Sequence, residues 1–402
     1  MSYHLPQGFR FAGISASIKK KAGTKDIALI VSDVPAVAAG VYTQNQVVAA
    51  PVVLCRTRTP LATARAVVVN SGNANACTGS RGAADALRMC ELAAAAVQSQ
   101  QAPITAEQTL VMSTGVIGHF LPMDKVEAGI ERAAAALADG EAAFLNAADA
   151  IMTTDVARKV TTRAVELGGK RIHIAGMAKG AGMIGPNMAT MLCCVVTDAK
   201  LSAVQAQRLL SAAANKSFNN ISVEGHTSTN DTMLLLANGQ SGGQELTADE
   251  EAHFAEHLEA MCIELAKQIP ADGEGSAHLI EVRVRGAAND HDARKISHCV
   301  ASSNLVKTAV HGGDPNWGRI VSAAGYAGPP IETSQLALDL NGISLFAAGE
   351  PVAFDARVAS QSIRDNHTTL IELTVGSGSG ACTHWSSDLG VDYVRFNSEY
   401  TT

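Results

Sequence analysis

Aromatic and charged side chains are both scarce in this sequence. Of its 402 residues only 4% are aromatic and 17% charged, whereas 47% are apolar and 35 residues are glycine. This composition excludes a disordered chain and predicts a globular protein whose core is built from small and β-branched side chains. Because a chain of 402 residues exceeds what a single core usually supports, we expect two or three domains.

An excess of positive charge is lacking as well. The formal net charge is -7, which argues against a nucleic-acid partner, because proteins that bind nucleic acid normally carry a basic patch. The sequence shows no signal peptide and no apolar run long enough to span a membrane. The eight cysteines form no Cys-x-x-Cys pair, so we expect reduced, mostly buried thiols and a cytoplasmic protein.

Short runs rich in valine, isoleucine and leucine alternate with longer helical patterns. This mixture predicts a layered α/β architecture. The predicted strands are 27–34, 47–55, 66–70, 110–112, 159–166, 171–176, 191–196, 279–284, 336–340 and 370–375. The predicted helices are 83–97, 123–137, 141–152, 202–216 and 248–268.

Two motif matches have ordinary structural explanations. Residues 180–185 match G-x-G-x-x-G, but a dinucleotide site needs a helix after this loop, and here Pro186 and a predicted strand follow. Residues 253–257 match H-x-x-E-H, which would place His253 and His257 on one helix face as zinc ligands. The acidic residues around them instead indicate the polar face of a surface helix. We therefore predict no nucleotide cofactor and no metal.

Thr190 occupies an unusual position. By residue type alone it is an ordinary β-branched strand residue. It stands, however, where a loop rich in glycine and proline enters a predicted buried strand. A chain cut before Thr190 would combine a hydroxyl nucleophile with its own α-amine as the base, and this pair suffices for nucleophilic catalysis.

The segment 179–192 closely resembles the self-cleavage motif of the ornithine acetyltransferase (glutamate N-acetyltransferase) family. Other stretches agree with that family, in order, along nearly the whole chain. They are 70–79, 113–118, 152–155, 227–232, 272–275, 305–309, 314–319 and 397–402.

This resemblance implies a reaction, a fold and an assembly. Acetyl passes from N2-acetyl-L-ornithine to L-glutamate in arginine biosynthesis, and some members also take acetyl from acetyl-CoA. The implied α/β fold has stacked β-sheets flanked by helices, similar to but distinct from the N-terminal-nucleophile hydrolases, with a smaller C-terminal domain at about 285–402. Cleavage between Ala189 and Thr190 would give an α chain (1–189) and a β chain (190–402), which assemble as a heterotetramer of two α and two β chains.

The resemblance also implies roles for individual residues. Thr190 is the nucleophile, and Thr114 and Gly115 form the oxyanion hole, where a hydroxyl and a backbone N–H stabilise the developing charge. A plain turn would be served equally well by this Ser-Thr-Gly sequence. We expect Lys179 to meet a substrate carboxylate, Glu274 to meet an ammonium, and the chain terminus to fold back into the site. The residues expected around the substrate are Thr153, Thr154, Lys179, Thr190, Glu274, Asn397 and Thr402.

Two stretches depart from the family pattern. Residues 275–278 read Gly-Ser-Ala-His where many members have Gly-Ala-Thr-Lys, and residues 223–226 read Val-Glu-Gly-His where many have Val-Asp-Gly-Asp. Both departures concern the second substrate and acetyl-CoA more than the nucleophile. Two other functions stay open: an aminopeptidase or amidase that passes the acyl group to water, and an amino-acid-binding protein that never cleaves itself.

Overall fold

The computed structural model describes residues 3–97, 103–185 and 191–399. The strands are β1 (Phe9–Ile14), β2 (Ile27–Tyr42), β3 (Leu61–Asn73), β4 (Thr109–Val116), β5 (Lys159–Leu167), β6 (Lys170–Lys179), β7 (Leu192–Thr197), β8 (Ile221–Ser222), β9 (Thr232–Ala237), β10 (Leu279–Ala287), β11 (Ala337–Leu340), β12 (Ile343–Ala347), β13 (Glu350–Pro351), β14 (Thr368–Thr374) and β15 (Gly380–Ser387). The helices are α1 (Ala50–Arg58), α2 (Gly79–Ala96), α3 (Met123–Ala135), α4 (Glu141–Ile151), α5 (Ala203–Lys216), α6 (Ala248–Ala271), α7 (Asp290–Ala301), α8 (Asn304–Gly312), α9 (Trp317–Gly325), α10 (Ala356–Arg364) and α11 (Val391–Glu399).

The first sheet is organised around the long strand β2. Its order is β4-β3-β2-β9-β7-β6-β5, and β1 pairs with β2 beside this path. The first half of β2, residues 27–31, pairs with β1 and β3, and the second half, residues 37–42, pairs with β9. The register of the β2–β3 ladder shifts between Val31 and Ala36, as expected where a bulge bends a strand. One strand therefore belongs to both halves of the sheet.

Strand β7 shows why the second half of this sheet is buried on both faces. Leu192, Cys194 and Val196 belong to a core shared with β1–β4 and helices α1–α4. Cys193 and Val195 point to the opposite face and belong to a core shared with α5 and α6. The unbroken apolar run follows from this arrangement, because alternate side chains enter two different cores.

Helices α5 and α6 begin where the sequence supplies capping residues. Ser202 accepts the backbone N–H of Gln205, and the Gln205 side chain returns to the Ser202 backbone. Thr247 and Glu250 form the same capping box at α6. Each box satisfies backbone N–H groups that a helix start would otherwise leave unpaired.

The second sheet occupies the C-terminal part of the chain. Its order is β13-β12-β11-β14-β10-β15-β8, with parallel pairing of β10 to β14 and antiparallel pairing of β10 to β15. Helices α7–α10 contribute to its apolar core. The two-residue strand β8 adds to the edge at β15 and so connects this sheet to the segment that follows α5. The predicted α/β class, with two mixed sheets flanked by helices, is confirmed.

One predicted element is wrong. Residues 47–55 were expected as a strand because of their valine pairs, but the chain forms helix α1 from Ala50. Pro51 suits the first turn of a helix, and two arginines lie in its last turn. The Cys55 Sγ contacts the backbone of Val111, so α1 covers the open edge of β4.

The remaining predicted helices and most predicted strands are confirmed, with ends that differ by a few residues. All eight cysteines are free thiols, and five of them are buried. None of the helices in the described part of the chain has the length and apolar character needed to cross a bilayer. The cytoplasmic location stays a prediction.

Candidate active site

Lys179 and Thr114 meet although their strands lie far apart in the sheet order. The Lys179 Nζ donates to the Thr114 Oγ1 at 3.2 Å, and both residues are buried. Four strands separate β4 from β6, which in a flat sheet would put them about 24 Å apart. The sheet must therefore fold back at β2, so that its two halves face each other at these strand ends.

This contact leaves the Thr114 hydroxyl free to donate. A threonine oxygen has one proton to give and two lone pairs that can accept. Because Lys179 donates to one lone pair, the Thr114 O–H can point at another oxygen. Burial lowers the pKa of Lys179, and Asp155 opposes that shift. Lys179 and Thr114 thus form a buried chain of two hydrogen-bond donors, and the Thr114 hydroxyl is the last donor in this chain.

Gly115 is required by the close approach of β3 and β4. Its φ of +134° is rarely adopted by other residues, and a Cβ there would lie 2.3 Å from the carbonyl carbon of Gly72. Gly115 itself, which is exposed, places no side chain over the backbone beside Thr114. This geometry is compatible with an oxyanion hole and equally with a purely structural glycine.

A buried network lies on the other side of Lys179. The Lys159 Nζ donates to the Asp155 Oδ1 at 2.8 Å and to the Asp272 Oδ2 at 2.6 Å. Asp155 also accepts the N–H of Thr153 at 2.9 Å and that of Gly180 at 2.6 Å. Burial by itself would raise the pKa of Asp155, but Lys179, Lys159 and these hydrogen bonds lower it to about 2. The carboxylate consequently joins the loop at residue 153 to the residue that follows Lys179.

Glu274 follows Asp272, a member of this network, by two residues in the sequence. Its Oε2 accepts the Nδ2–H of Asn397 at 3.1 Å, and its backbone N–H donates to the Ala181 carbonyl at 2.8 Å. A Cβ on Gly182 would lie 2.4 Å from the Glu274 carboxyl carbon. The glycine-rich loop, Glu274 and helix α11 therefore meet at one place. Because Asp272 accepts a hydrogen bond from Lys159, the meeting point of these three elements is connected through the Lys159 network to Thr153 and to the end of β6 at Lys179.

Ala189, Thr190 and Thr402 lie outside the described residues, but the strand after Thr190 is fixed firmly. The Met191 N–H donates to the Asp231 Oδ1 at 3.1 Å, and the Met191 carbonyl accepts the N–H of Thr232. Leu192 stands opposite Lys179 in the β6–β7 ladder. Leu192, two residues after Thr190 in the sequence, therefore lies beside the Lys179 backbone.

Four charged residues of this region had no predicted role: Asp155, Lys159, Asp231 and Asp272. The three aspartates lie inside stretches that already matched the family, and this could have indicated them. Asp231 in particular directly precedes the apolar run of β9, where an acid is unusual. The hydrogen bond to Asp155 is made by the backbone N–H of Thr153, the neighbour of Thr154.

The departures from the family pattern lie near Glu274. The His226 N–H donates to the Glu224 Oε1 at 3.3 Å, whereas the His278 Nδ1 contacts the Asn366 carbonyl at 3.1 Å. Burial, with a smaller contribution from Glu274, raises the pKa of Glu224 to about 7, although backbone hydrogen bonds and Lys307 oppose the shift. A second carboxyl with this pKa therefore borders the expected ammonium site.

The histidine motif of α6 contributes nothing to this region. His253 is exposed, and its Nδ1 contacts the carbonyl of Asp249 one turn earlier. Within residues 3–97, 103–185 and 191–399, no group of three or more histidine, cysteine or acidic side chains is arranged to hold a metal ion. After the glycine-rich loop, the next helix in the described residues begins only at Ala203.

Known proteins match this chain over nearly its whole length. The model of the ArgJ family matches residues 10–402. An arginine biosynthesis bifunctional protein ArgJ from Rhodopirellula baltica is 52% identical over 404 residues, covering 100% of this chain and 97% of that protein. The chain belongs to the ArgJ family. A relative of the same name from Symbiobacterium thermophilum is 49% identical, covering 99% of this chain and 98% of that protein.

Solved structures include an ornithine acetyltransferase complexed with ornithine from Mycobacterium tuberculosis. It is 38% identical and covers 46% of this chain and 94% of that chain, with a TM-score of 0.40. Membership of the ArgJ family confirms the resemblance from which the site residues were predicted. This chain is accordingly an enzyme of arginine biosynthesis.

Proposed function

We propose that this enzyme cleaves itself before Thr190 and then uses Thr190 to carry acetyl from N2-acetyl-L-ornithine to L-glutamate. One observation carries the proposal: the buried Lys179–Thr114 hydrogen bond across the folded sheet, beside the strand that starts after Thr190. A donor chain that ends in a free hydroxyl is what a developing oxyanion needs next to a nucleophile.

In the first half-reaction the Thr190 Oγ attacks the acetyl carbonyl. The α-amine of Thr190 accepts the hydroxyl proton. The negative charge that develops on the carbonyl oxygen is stabilised by the Thr114 O–H and the Gly115 N–H. When the C–N bond breaks, the protonated α-amine returns its proton to the leaving nitrogen of ornithine. Thr190 then carries acetyl as an ester.

In the second half-reaction the α-amine of glutamate attacks this ester. The Thr190 amine removes a proton from the attacking nitrogen and returns one to the Thr190 Oγ as the ester bond breaks. The same two donors stabilise the oxyanion again, because both tetrahedral intermediates place their charge at the same position. N-acetylglutamate leaves, and the free threonine is regenerated.

The substrate is bound by groups on both sides of Lys179. Glu274, held by Asn397, meets the side-chain ammonium of ornithine. Thr153 and Thr154 border the site through the loop that Asp155 fixes, and Thr402 belongs to it through the returning C-terminus. Lys179 is already occupied by Thr114, so contact with a substrate carboxylate is the second role that we propose for it.

Self-cleavage would give an α chain of residues 1–189 and a β chain of residues 190–402. The second sheet supports a smaller C-terminal domain at about 285–402, since its strands from β10 to β15 lie between residues 279 and 387. We further propose a heterotetramer of two α and two β chains. The name bifunctional, which the relatives carry, supports acetyl-CoA as a second acetyl donor.

Acetyl transfer distinguishes this proposal from its two alternatives. The purified protein is incubated with acetyl-labelled N2-acetylornithine, with and without glutamate, and the products are separated. Label in N-acetylglutamate supports the transferase, and label only in free acetate would instead indicate a hydrolase. If no ornithine is released, the amino-acid-binding protein is the alternative that fits. Thr190→Ala should abolish transfer, and Thr190→Ser should retain part of it because the hydroxyl is kept.

A further inference from the structure

Lys19 is a partly buried cation without an acidic partner. Its Nζ donates to the Lys25 carbonyl at 2.6 Å, and no carboxylate in the described part of the chain forms an ion pair with it. Lys25, by contrast, pairs with Asp149 at 3.0 Å. The lysines that follow Lys19 in sequence, Lys20 and Lys21, are exposed. Because an ammonium has three protons to donate, Lys19 can still donate to a ligand.

The loop that carries Lys19 is held by Asp26, which is fully buried. The Asp26 carboxylate accepts the backbone N–H groups of Ala16 at 2.5 Å, Ile18 at 2.7 Å and Lys19 at 3.1 Å. These three bonds fix the loop backbone and use the acidic residue that lies nearest to Lys19 in the sequence. Asp26 therefore positions Lys19 but forms no ion pair with its ammonium.

The side chain of Lys19 lies against the glycine pair beside Thr114. Gly72 and Gly115 stand opposite each other in the β3–β4 ladder. A Cβ on Gly72 would lie 2.9 Å from the Lys19 Cγ, so a residue with a side chain would not fit there without moving Lys19. Lys19 therefore contacts β3 at the register position of Gly115, which is one of the two proposed oxyanion donors.

The charges around Lys19 indicate that an anion would be stabilised there. Burial lowers the pKa of Lys19 to about 8, and Lys179 adds to this shift, whereas Asp26, Asp155 and Asp149 oppose it. Lys19 and Lys179 are thus close enough for their positive charges to repel each other. Asp155 and Asp149 already accept hydrogen bonds from two other lysines. A negatively charged ligand beside Lys19 and Lys179 would reduce this repulsion.

We propose that Lys19 binds the α-carboxylate of the substrate. The inference rests on the proposed function, in which N2-acetylornithine and glutamate react through their α-nitrogens. In both molecules the α-carboxylate is attached to the carbon next to this nitrogen, so it must lie near the acetyl oxygen held by Thr114 and Gly115. Lys179 already donates to Thr114. Lys19 therefore supplies a second cation for a carboxylate, whose two oxygens can accept from both lysines.

Two glutamine variants separate this role from a structural one. Lys19→Gln keeps an N–H donor for the Lys25 carbonyl but removes the charge, so the contact within the loop has a replacement. Lys20→Gln is the matched control, because it removes the same charge from the exposed neighbour. Thermal unfolding of the purified full-length variants shows whether both are folded.

Steady-state acetyl transfer is then measured for both substrates. We expect Lys19→Gln to raise the KM for N2-acetylornithine and the KM for glutamate by about tenfold or more, as for one lost charge-assisted hydrogen bond. The value of kcat should change little, because the carboxylate has the same charge in the bound substrate and in the transition state. Lys20→Gln should behave as wild type does.

A substrate analogue without the carboxylate tests the assignment directly. N-acetyl-1,4-diaminobutane is N2-acetylornithine from which the α-carboxylate has been removed. As a competitive inhibitor it should bind to wild type and to Lys19→Gln with equal affinity, because the group that Lys19 recognises is missing. If it binds too weakly to be measured, the two KM values decide.

The outcomes separate this inference from the proposed function. A wild-type enzyme that transfers no acetyl contradicts the proposed function itself. If wild type transfers acetyl and folded Lys19→Gln keeps both KM values, only the role of Lys19 is overturned. A rise in the KM for glutamate alone also overturns it, since Lys19 would then meet the side-chain carboxylate. Should Lys19→Gln fail to fold, an analogue that inhibits wild type at concentrations as low as the KM for N2-acetylornithine overturns the inference, and much weaker inhibition supports it.

Discussion

Two buried aspartates near Lys179 have pKa values shifted in opposite directions. Asp155 accepts hydrogen bonds from Lys159, Gly180 and Thr153, and its pKa is lowered to about 2. Asp231 accepts one N–H, from Met191, and burial raises its pKa well above the ordinary range. The neighbouring positive charges and the donors around a buried carboxyl therefore decide the direction of its pKa shift, and burial alone does not. Asp155 fixes loops of the site through its hydrogen bonds, whereas the Oδ2 of Asp231 has no described donor.

Removing Lys159, the positively charged partner of Asp155, should have the largest effect on stability. Lys159→Met leaves the Asp155 and Asp272 carboxylates without their shared partner, and breaking a buried ion pair costs about 3–5 kcal/mol. Urea unfolding would measure this loss. The control is Lys216→Met, which removes an ion pair between the exposed Lys216 and Glu259 and should cost about 1 kcal/mol or less. Equal losses in both variants would show that the pairs of Lys159 with Asp155 and Asp272 contribute no more than an exposed ion pair.

Thr114→Val should affect turnover while leaving the fold intact. The variant keeps the shape but removes the hydroxyl that accepts a hydrogen bond from Lys179 and that we propose as an oxyanion donor. Losing one oxyanion donor lowers kcat by about 10²–10³. Steady-state kinetics should show this fall with little change in KM, because the donor acts on the transition state. A kcat that stays at the wild-type value would exclude Thr114 from the oxyanion hole.

The second sheet contains a buried titratable group with even fewer partners than Asp231. His384 is fully buried, and neither ring nitrogen has a hydrogen-bond partner in the described part of the chain. Burial lowers its pKa well below the ordinary value, and His298 and Arg294 add to the shift. In the unfolded chain this histidine gains its proton at about pH 6.5, whereas in the fold its lowered pKa moves protonation to more acidic pH.

His384 should therefore make the protein sensitive to mild acid. Its contribution is fully present above about pH 6.5 and declines by about 1.4 kcal/mol per pH unit below it, until the lowered pKa of the folded state is reached. Unfolding free energies of wild type and His384→Leu, measured from neutral to mildly acidic pH, test this. A wild-type curve that runs parallel to the variant's curve would show that His384 does not titrate on unfolding.

Gly182→Ala should produce the smallest effect. The new Cβ would press on the Glu274 carboxylate, which can shift because it is the end of a flexible side chain. Loss of one charge-assisted hydrogen bond to substrate, about 1.5 kcal/mol, would raise the KM for N2-acetylornithine about tenfold. Gly312→Ala is the control, since its Cβ would meet no atom within 4 Å. If both variants have the same KM, Glu274 does not hold the substrate ammonium.

The sequence predicted the elements with strong periodicity and missed those that depend on tertiary contacts. Helices α3 and α6 follow from their apolar spacing and helix-start signals. Helix α1 was mistaken for a strand because its valines favour strands locally, whereas its cover over the edge of β4 is a long-range property. Helices α7–α11 were not predicted at all.

The residues of the site likewise fall into those that could be predicted from the sequence and those that could not. Family resemblance located Thr114, Lys179 and Glu274, which the structure brings into one region. Lys159 and Asp272 are 113 positions apart in sequence, and nothing local indicates that they pair. Asp231 was likewise overlooked, because its unusual property is a missing hydrogen-bond donor. A sequence pattern can locate the groups that react, but the number of donors around each buried carboxyl emerges only in the folded chain.

Mass spectrometry of the intact protein after mixing with N2-acetylornithine tests the central claim most directly. The account predicts two fragments that divide between Ala189 and Thr190, with one acetyl group added to the fragment that begins at Thr190. Subsequent addition of glutamate should remove this acetyl. A single undivided chain of 41.6 kDa that turns over N2-acetylornithine would contradict the account.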